Sequence, residues 1–122
     1  MINYEDIKKA NDSIKATPIK GKDYAEVNQR IKAFRMVYPT GFITTDLVSN
    51  EDGVCVFRAS VGYYDEGNAV LLGNGTAYEK ESSSFINKTS YIENCETSAV
   101  GRALGMCGFG IDVSVASAEE VQ

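Results

Sequence analysis

Apolar residues recur along this chain with two different periods. Between residues 24 and 38 they fall at helical spacing: Tyr24, Val27, Ile31, Phe34 and Tyr38 form one stripe, and Gln29, Arg30, Lys32 and Arg35 lie off it. Asp23, with Glu26 three residues on, has the pattern of a capping box opening that helix; Pro39 and Gly41 close it. Three strand-like runs follow, at 42–49, 54–64 and 69–79. In the first, Ile43, Thr45 and Leu47 share a face, and the second is dense in β-branched and aromatic residues. The connections at 50–53 and 65–68 are short, which predicts an antiparallel meander. Gly73 and Gly75 in the third run predict a bulge or bend.

A polar stretch then leads into "SYIENCETSAVGRALGMCGFGID" at 90–112, which reads as a long helix. Ser90 and Glu93 have capping-box spacing. Ile92, Cys95, Ala99, Val100, Ala103, Met106 and Cys107 share one face, with Asn94, Ser98, Gly101 and Gly105 opposite. Two interior glycines cost about 2 kcal/mol relative to alanines. Tight packing offsets that, or the close approach of a strand or a neighbouring subunit. Gly108 suits a left-handed cap. Upstream, 1–14 reads as a thinly amphipathic helix on Ile2, Ile7 and Ile14, a weakly ordered arm or contact element. Residues 15–22 read as a linker broken by Pro18 and Gly21. Downstream, Ser117 and Glu120 open a further short helix. The expected architecture is α+β: an N-terminal helix, a three-stranded antiparallel β-meander, then a long helix packed on the sheet. The expected divisions are an arm at 1–19, a core domain at 20–112, and the start of a C-terminal tail or helix at 113–122.

With 122 residues, 43% apolar and 24% charged, the chain has the composition of one globular domain. No stretch is apolar enough to span a bilayer and no signal peptide opens the chain, so no membrane partner and a cytoplasmic location are expected. Three cysteines without a CxxC pair, and no histidine, argue against zinc and for buried reduced thiols. There is no P-loop, dinucleotide fingerprint or nucleophile elbow, so no cofactor and no enzymatic chemistry are expected. One catalytic reading stays open: Asp65, Glu66, Glu79 and Glu81 could approach one another as the carboxylates of a metal nuclease.

Charge refines this picture. The net charge of −5 argues against nucleic acid. Yet Lys15, Lys20, Lys22, Arg30, Lys32 and Arg35 face only Asp23 and Glu26 within twenty-one residues, while 46–81 holds seven acids against Arg58 and Lys80. Such a local basic patch can contact a polyanion. Arg102 is the lone charge in fifteen residues, 97–111. It reads as a solvated cation, a partner for Glu96 on the apolar face, or a phosphate clamp.

The order of elements, with "KGKDYAEVNQRIKAFRMVYPTGF" and "YIENCETSAVGRALGMCGFG" at its two ends, resembles the single-strand annealing superfamily of the eukaryotic Rad-fifty-two and the phage Erf and Sak recombinases. The resemblance implies an annealing-like β-β-β-α core at 20–112. It also implies a phage or prophage protein that binds single-stranded DNA and anneals strands in recombination, without ATP. It would work as a homo-oligomeric ring or filament beside a single-strand-binding protein or exonuclease. By that resemblance Arg102 contacts the DNA backbone, with Lys88 and Arg58 as further candidates. Gly101 stands where some members carry a second cation. Arg30 and Arg35 read either as phosphate contacts or as the solvated face of the first helix. The alternative is a protein-interaction domain of the same fold that has lost DNA binding, serving assembly or interference with host factors.

Overall fold

Three two-residue turns lay down the β structure. In the computed structural model, which describes residues 2–122, the turns Lys20-Gly21, Asp52-Gly53 and Glu66-Gly67 have positive φ at both positions, 52° and 83°, 53° and 74°, 50° and 84°. This geometry matches the twist of paired strands, and glycine carries the second position without a Cβ clash. The first turn joins β1 (Ala16–Ile19) to β2 (Lys22–Ala25). The second joins β3 (Phe42–Glu51) to β4 (Val54–Asp65), and the third joins β4 to β5 (Asn68–Lys80). The result is a two-stranded ribbon and a three-stranded antiparallel sheet of order β3-β4-β5. The meander is therefore as the periodicity predicts. Its bulges fall at Val48 and at Leu72, the latter beside Gly73.

The helical layer comprises α1 (Tyr4–Asp12), α2 (Val27–Val37), α3 (Asn87–Met106) and the short α4 (Ala118–Val121). Helix α3 lies across β4 and β5, α2 packs on α3, and α1 packs on α2. Cys55, Phe57, Ala59 and Val61 alternate along β4 toward α3, and with Cys95, Ala99, Ala103, Leu104, Phe34 and Phe109 they form the core. Phe34 and Phe109 meet edge to face at 5.6 Å. The arrangement is the expected α+β one, with helices on one face of the sheet. No helix among the described residues is long and apolar enough to cross a membrane.

The glycines work at two contacts. On the sheet, a Cβ at Gly75 would lie 2.5 Å from the Ala103 nitrogen, so the bare strand lets α3 approach backbone to backbone. On the opposite side of α3, a Cβ at Gly101 would meet Val27 Cγ2 at 2.7 Å, and one at Gly105 would meet Arg30 at 2.8 Å. The element that comes close to the small-residue face is α2. Gly108 (φ 97°) ends α3 as expected: its N–H donates to Gly105 O at 3.0 Å and that of Phe109 to Leu104 O at 3.0 Å.

Four local expectations change. The N-terminal arm is a built helix: Asn3 and Asp6 cap it reciprocally at 3.2 and 3.0 Å, and Ala10 is buried. The linker is the β1–β2 ribbon, which crosses the boundary expected at residue 20; both strands of a lone ribbon are edges, where Pro18 is tolerated. Asp23 belongs to β2, and Glu26 caps α2 without a side-chain bond. Ser90, the expected cap of α3, instead kinks it, with φ −135° and ψ 18°.

Replacing Gly75 with alanine is expected to lower stability by about 1–3 kcal/mol through overpacking against α3. Asn74→Ala, exposed on the same strand, should stay within about 0.5 kcal/mol. Urea titration of both variants measures the difference.

Candidate functional site

The five cations singled out from sequence occupy different environments. Arg30 is fully buried. It projects from α2 beneath the segment that follows α3 and donates to four carbonyls: Gly101 at 2.7 Å, Val115 at 2.9 Å, Ser114 at 3.0 Å and Gly110 at 3.3 Å. Burial pushes its pKa down, opposed by Glu120 and Glu119 nearby. Arg30 is therefore neither a phosphate contact on the surface nor part of a solvated helix face. It is the donor that satisfies an otherwise orphaned stretch of backbone.

Arg102 forms an ion pair with Glu120 of α4 at 3.1 Å, on the wall of a cleft of about 510 Å³ that Tyr78, Lys80, Ser83 and Ser98 also line. The partner expected for it, Glu96, instead accepts from Thr45 Oγ1 at 2.7 Å. Next to Glu120, Glu119 Oε1 accepts from the Val27 N–H at 3.0 Å and supplies the cap that Glu26 lacks. Arg35 is exposed; it donates to Gly41 O and lies over the Phe34 ring at 5.4 Å. Arg58 is exposed on the face of the sheet away from α3, because its neighbours Phe57 and Ala59 point into the core. Lys88 is exposed in the first turn of α3, before the kink. Arg30 and Arg102 flank the same turns of α3, whereas Arg58 belongs to the opposite surface. The five do not converge on one groove.

A different group is left exposed. Lys15, Lys20, Lys22, Lys32 and Arg35 all face solvent, just before and on the ribbon and on the outer face of α2. Asn28, Lys32 and Arg35 follow one another at helical spacing, and the Lys15 N–H donates to Gln29 Oε1 at 3.2 Å, which ties the ribbon's start to that helix. Among the described residues none of these five cations forms an ion pair. The clustering of lysines was visible in the sequence; which members are exposed depended on where α2 buries its side.

Other candidate chemistry separates. Asp65 and Glu66 stand at one end of β5 and Glu79 and Glu81 at the other, thirteen strand residues apart, so the carboxylates of a nuclease centre do not meet. Among the described residues no three metal-binding side chains cluster. Tyr63 stacks on Tyr38 at 5.2 Å as sheet packing, while Tyr78 is exposed. All three cysteines are free, Cys55 and Cys95 buried and Cys107 partly so. Burial pushes Cys95 up to about 12, with Cys55 adding to it, and Cys107 up to about 11. Both stay protonated and poorly nucleophilic at neutral pH.

The fold and surface thus define a two-layer α+β domain of helices and meander whose helix α2 carries exposed cations. Its residues 31–107 match the model of the Slr1353 N-terminal dsRNA-binding domain-like family, and the chain belongs to that family. No curated protein matches it in sequence. The family match overturns the resemblance to the single-strand annealing superfamily. Two residues in the stretches that carried the resemblance serve the domain's own packing: Arg30 holds backbone carbonyls and Arg102 holds Glu120.

Arg30→Met should cost about 3 kcal/mol, since it removes the donor from the buried Gly101 and Gly110 carbonyls, at about 1–3 kcal/mol each, and from the part-buried Ser114 and Val115 carbonyls; Arg58→Met should stay within about 0.5 kcal/mol in the same denaturation assay. The raised thiols give a pH signature. A thiol held protonated by the fold stabilises it fully below the unfolded value of 9.0, and that contribution is lost as pH climbs through the folded value. The stability difference between the parent and Cys107→Ala should therefore shrink between pH 9 and about 11, read from urea midpoints across that range.

Proposed function

We propose that this domain is a non-enzymatic nucleic-acid-binding module that grips the sugar–phosphate backbone of duplex RNA with α2 and the ribbon. One observation carries the reading: five cations on α2, on the ribbon and just before it, Lys15, Lys20, Lys22, Lys32 and Arg35, are exposed without ion-pair partners on a chain whose net charge is −5. Exposed, unpaired cations are what backbone contact requires, because each cation that meets a phosphate releases counterions. The family's description, dsRNA-binding domain-like, supports the same ligand class. Duplex RNA is recognised by shape and phosphate contact rather than base sequence, which suits lysine and arginine on a helix face. Strand annealing, ring or filament assembly and recombination partners followed from the annealing resemblance alone and fall with it.

A second reading, a protein-interaction domain, draws on the sheet face away from α3, where Tyr64, Leu71 and Tyr78 are 58, 57 and 64% exposed.

The two readings separate on salt. Phosphate contact predicts that log affinity for duplex RNA falls steeply with log salt. Lys32→Gln with Arg35→Gln should weaken binding across all sequences and flatten that slope by about 0.7–0.9 per lost contact. Fluorescence anisotropy between 50 and 200 mM salt measures both. Parental binding with no salt dependence, or none at all, excludes the backbone reading.

A further inference from the structure

A second cleft, of about 460 Å³, lies between the end of β5, the first half of α3 and α4. Glu79, Ser83, Ser98 and Glu120 belong both to it and to the cleft on whose wall Arg102 stands. Three carboxylates line it, Glu79 from β5 and Glu119 and Glu120 from α4, and no lysine or arginine does. Each carboxylate uses one oxygen within the domain. Glu79 Oε2 accepts from Asn87 at 2.8 Å, Glu119 Oε1 from the Val27 N–H at 3.0 Å, and Glu120 Oε2 from Arg102 at 3.1 Å. The other oxygen of each has no hydrogen-bond partner among the described residues, and that of Glu120 is buried. An acidic lining by itself selects no ligand, but Ser98 adds an independent observation. It is only 3% exposed and lines both clefts. Its hydroxyl makes no hydrogen bond among the described residues, not even the common one back to the carbonyl four residues earlier. Buried hydroxyls are normally bonded; this one faces the cleft with its lone pairs free.

These free acceptors call for a ligand that donates N–H bonds and carries positive charge at more than one point. A metal ion does not fit, because among the described residues no three carboxylates stand close enough to share one. Acids too far apart for a single ion, in a cleft of small-molecule size, suit ammonium groups separated by methylenes. Ile86, on the same wall, offers those methylenes an apolar surface. A bare carboxylate also takes an ammonium more strongly than it takes a neutral donor. We infer that this cleft binds a linear polyamine, with ammonium groups at Glu79 and at the Glu119–Glu120 pair and Ser98 Oγ accepting from an N–H between them. Arg102 already holds Glu120 from the neighbouring cleft, so Glu79 and Glu119 carry most of the attraction. The inference stands apart from the reading of the domain as an RNA binder: it uses none of the cations on α2 or the ribbon.

Calorimetric titration with spermidine, at constant ionic strength and without RNA, tests it. The parent should bind at one site. Glu79→Gln with Glu119→Gln keeps the bonds from Asn87 and Val27, because the amide oxygen still accepts, and should weaken binding about tenfold or more. Ser98→Ala, which removes no charge and no contact that holds α4, should weaken it about threefold to tenfold. A control separates the site from diffuse attraction to a chain of net charge −5. Glu5→Gln with Asp65→Asn removes two exposed acids outside the cleft and should leave the affinity unchanged. No binding by the parent overturns the inference. So does a control variant that weakens binding as much as the cleft variant, or magnesium that displaces spermidine at equal concentration. Should the double glutamine variant lower the urea midpoint, Ser98→Ala decides: unchanged affinity there overturns the proposed contact. A tetralysine peptide that binds tighter than spermidine, and loses that affinity with Glu79→Gln and Glu119→Gln, would overturn it in favour of a partner protein's lysines.

Discussion

The guanidinium of Arg30 is the interaction on which the rest of this structure depends. The segment after α3 contains no regular structure until α4, so its carbonyls have no ladder to join. Buried carbonyls without donors are costly, and a planar group with five N–H bonds is the side chain best suited to collect several of them. Arg30 reaches Gly110, Ser114 and Val115 on that segment and Gly101 on α3. It does so because Gly105 and Gly110 offer no Cβ in its path: one at Gly110 would meet Arg30 Cγ at 2.7 Å. The glycines and the arginine are one device, each pointless without the other.

That device decides which charges remain for function. Helix α2 turns Val27, Arg30, Ala33 and Phe34 inward, and so must turn Asn28, Lys32 and Arg35 outward. The returning C-terminal segment brings Glu119 to the start of α2 and Glu120 to Arg102, neutralising the cation nearest the buried one. What is left without ion pairs are Lys32 and Arg35 on the outer face of α2 and Lys15, Lys20 and Lys22 on and before the ribbon. The basic patch is therefore a by-product of how the core closes as well as a feature of composition.

Much of the fold was legible because it depends on local patterns. Alternation in 54–64 and the X-Gly turns specify a meander whatever packs on it, and the stripe of Val27, Ile31 and Phe34 specifies a helix. The start of α2 was misplaced because its cap, Glu119, lies ninety-two residues away, beyond any local motif. The ribbon was missed because Pro18 reads as a breaker until its partner strand is known. The site was harder for the same reason. Arg30 and Lys32 are two residues apart, equally basic, and differ only in which way the helix turns them. Of the small residues of α3, Ser98, Gly101 and Gly105 are as buried as the apolar face, because α3 is covered from two sides, and Met106, expected inside, is half exposed.

Similarity of element order carried a resemblance that the family match does not support, and the physical reason lies in what such order encodes. A helix, a meander and a glycine-bearing helix describe a way of closing a small core; they place no cation at any ligand. A basic residue ahead of an alanine–leucine pair has a structural task here in binding Glu120, just as Arg30 has one in binding carbonyls. Exposure without a partner is the property that distinguishes a cation available to a phosphate from one the fold already uses. It belongs to Lys32 and not to Arg30, and it follows from the packing of α2 rather than from residue type.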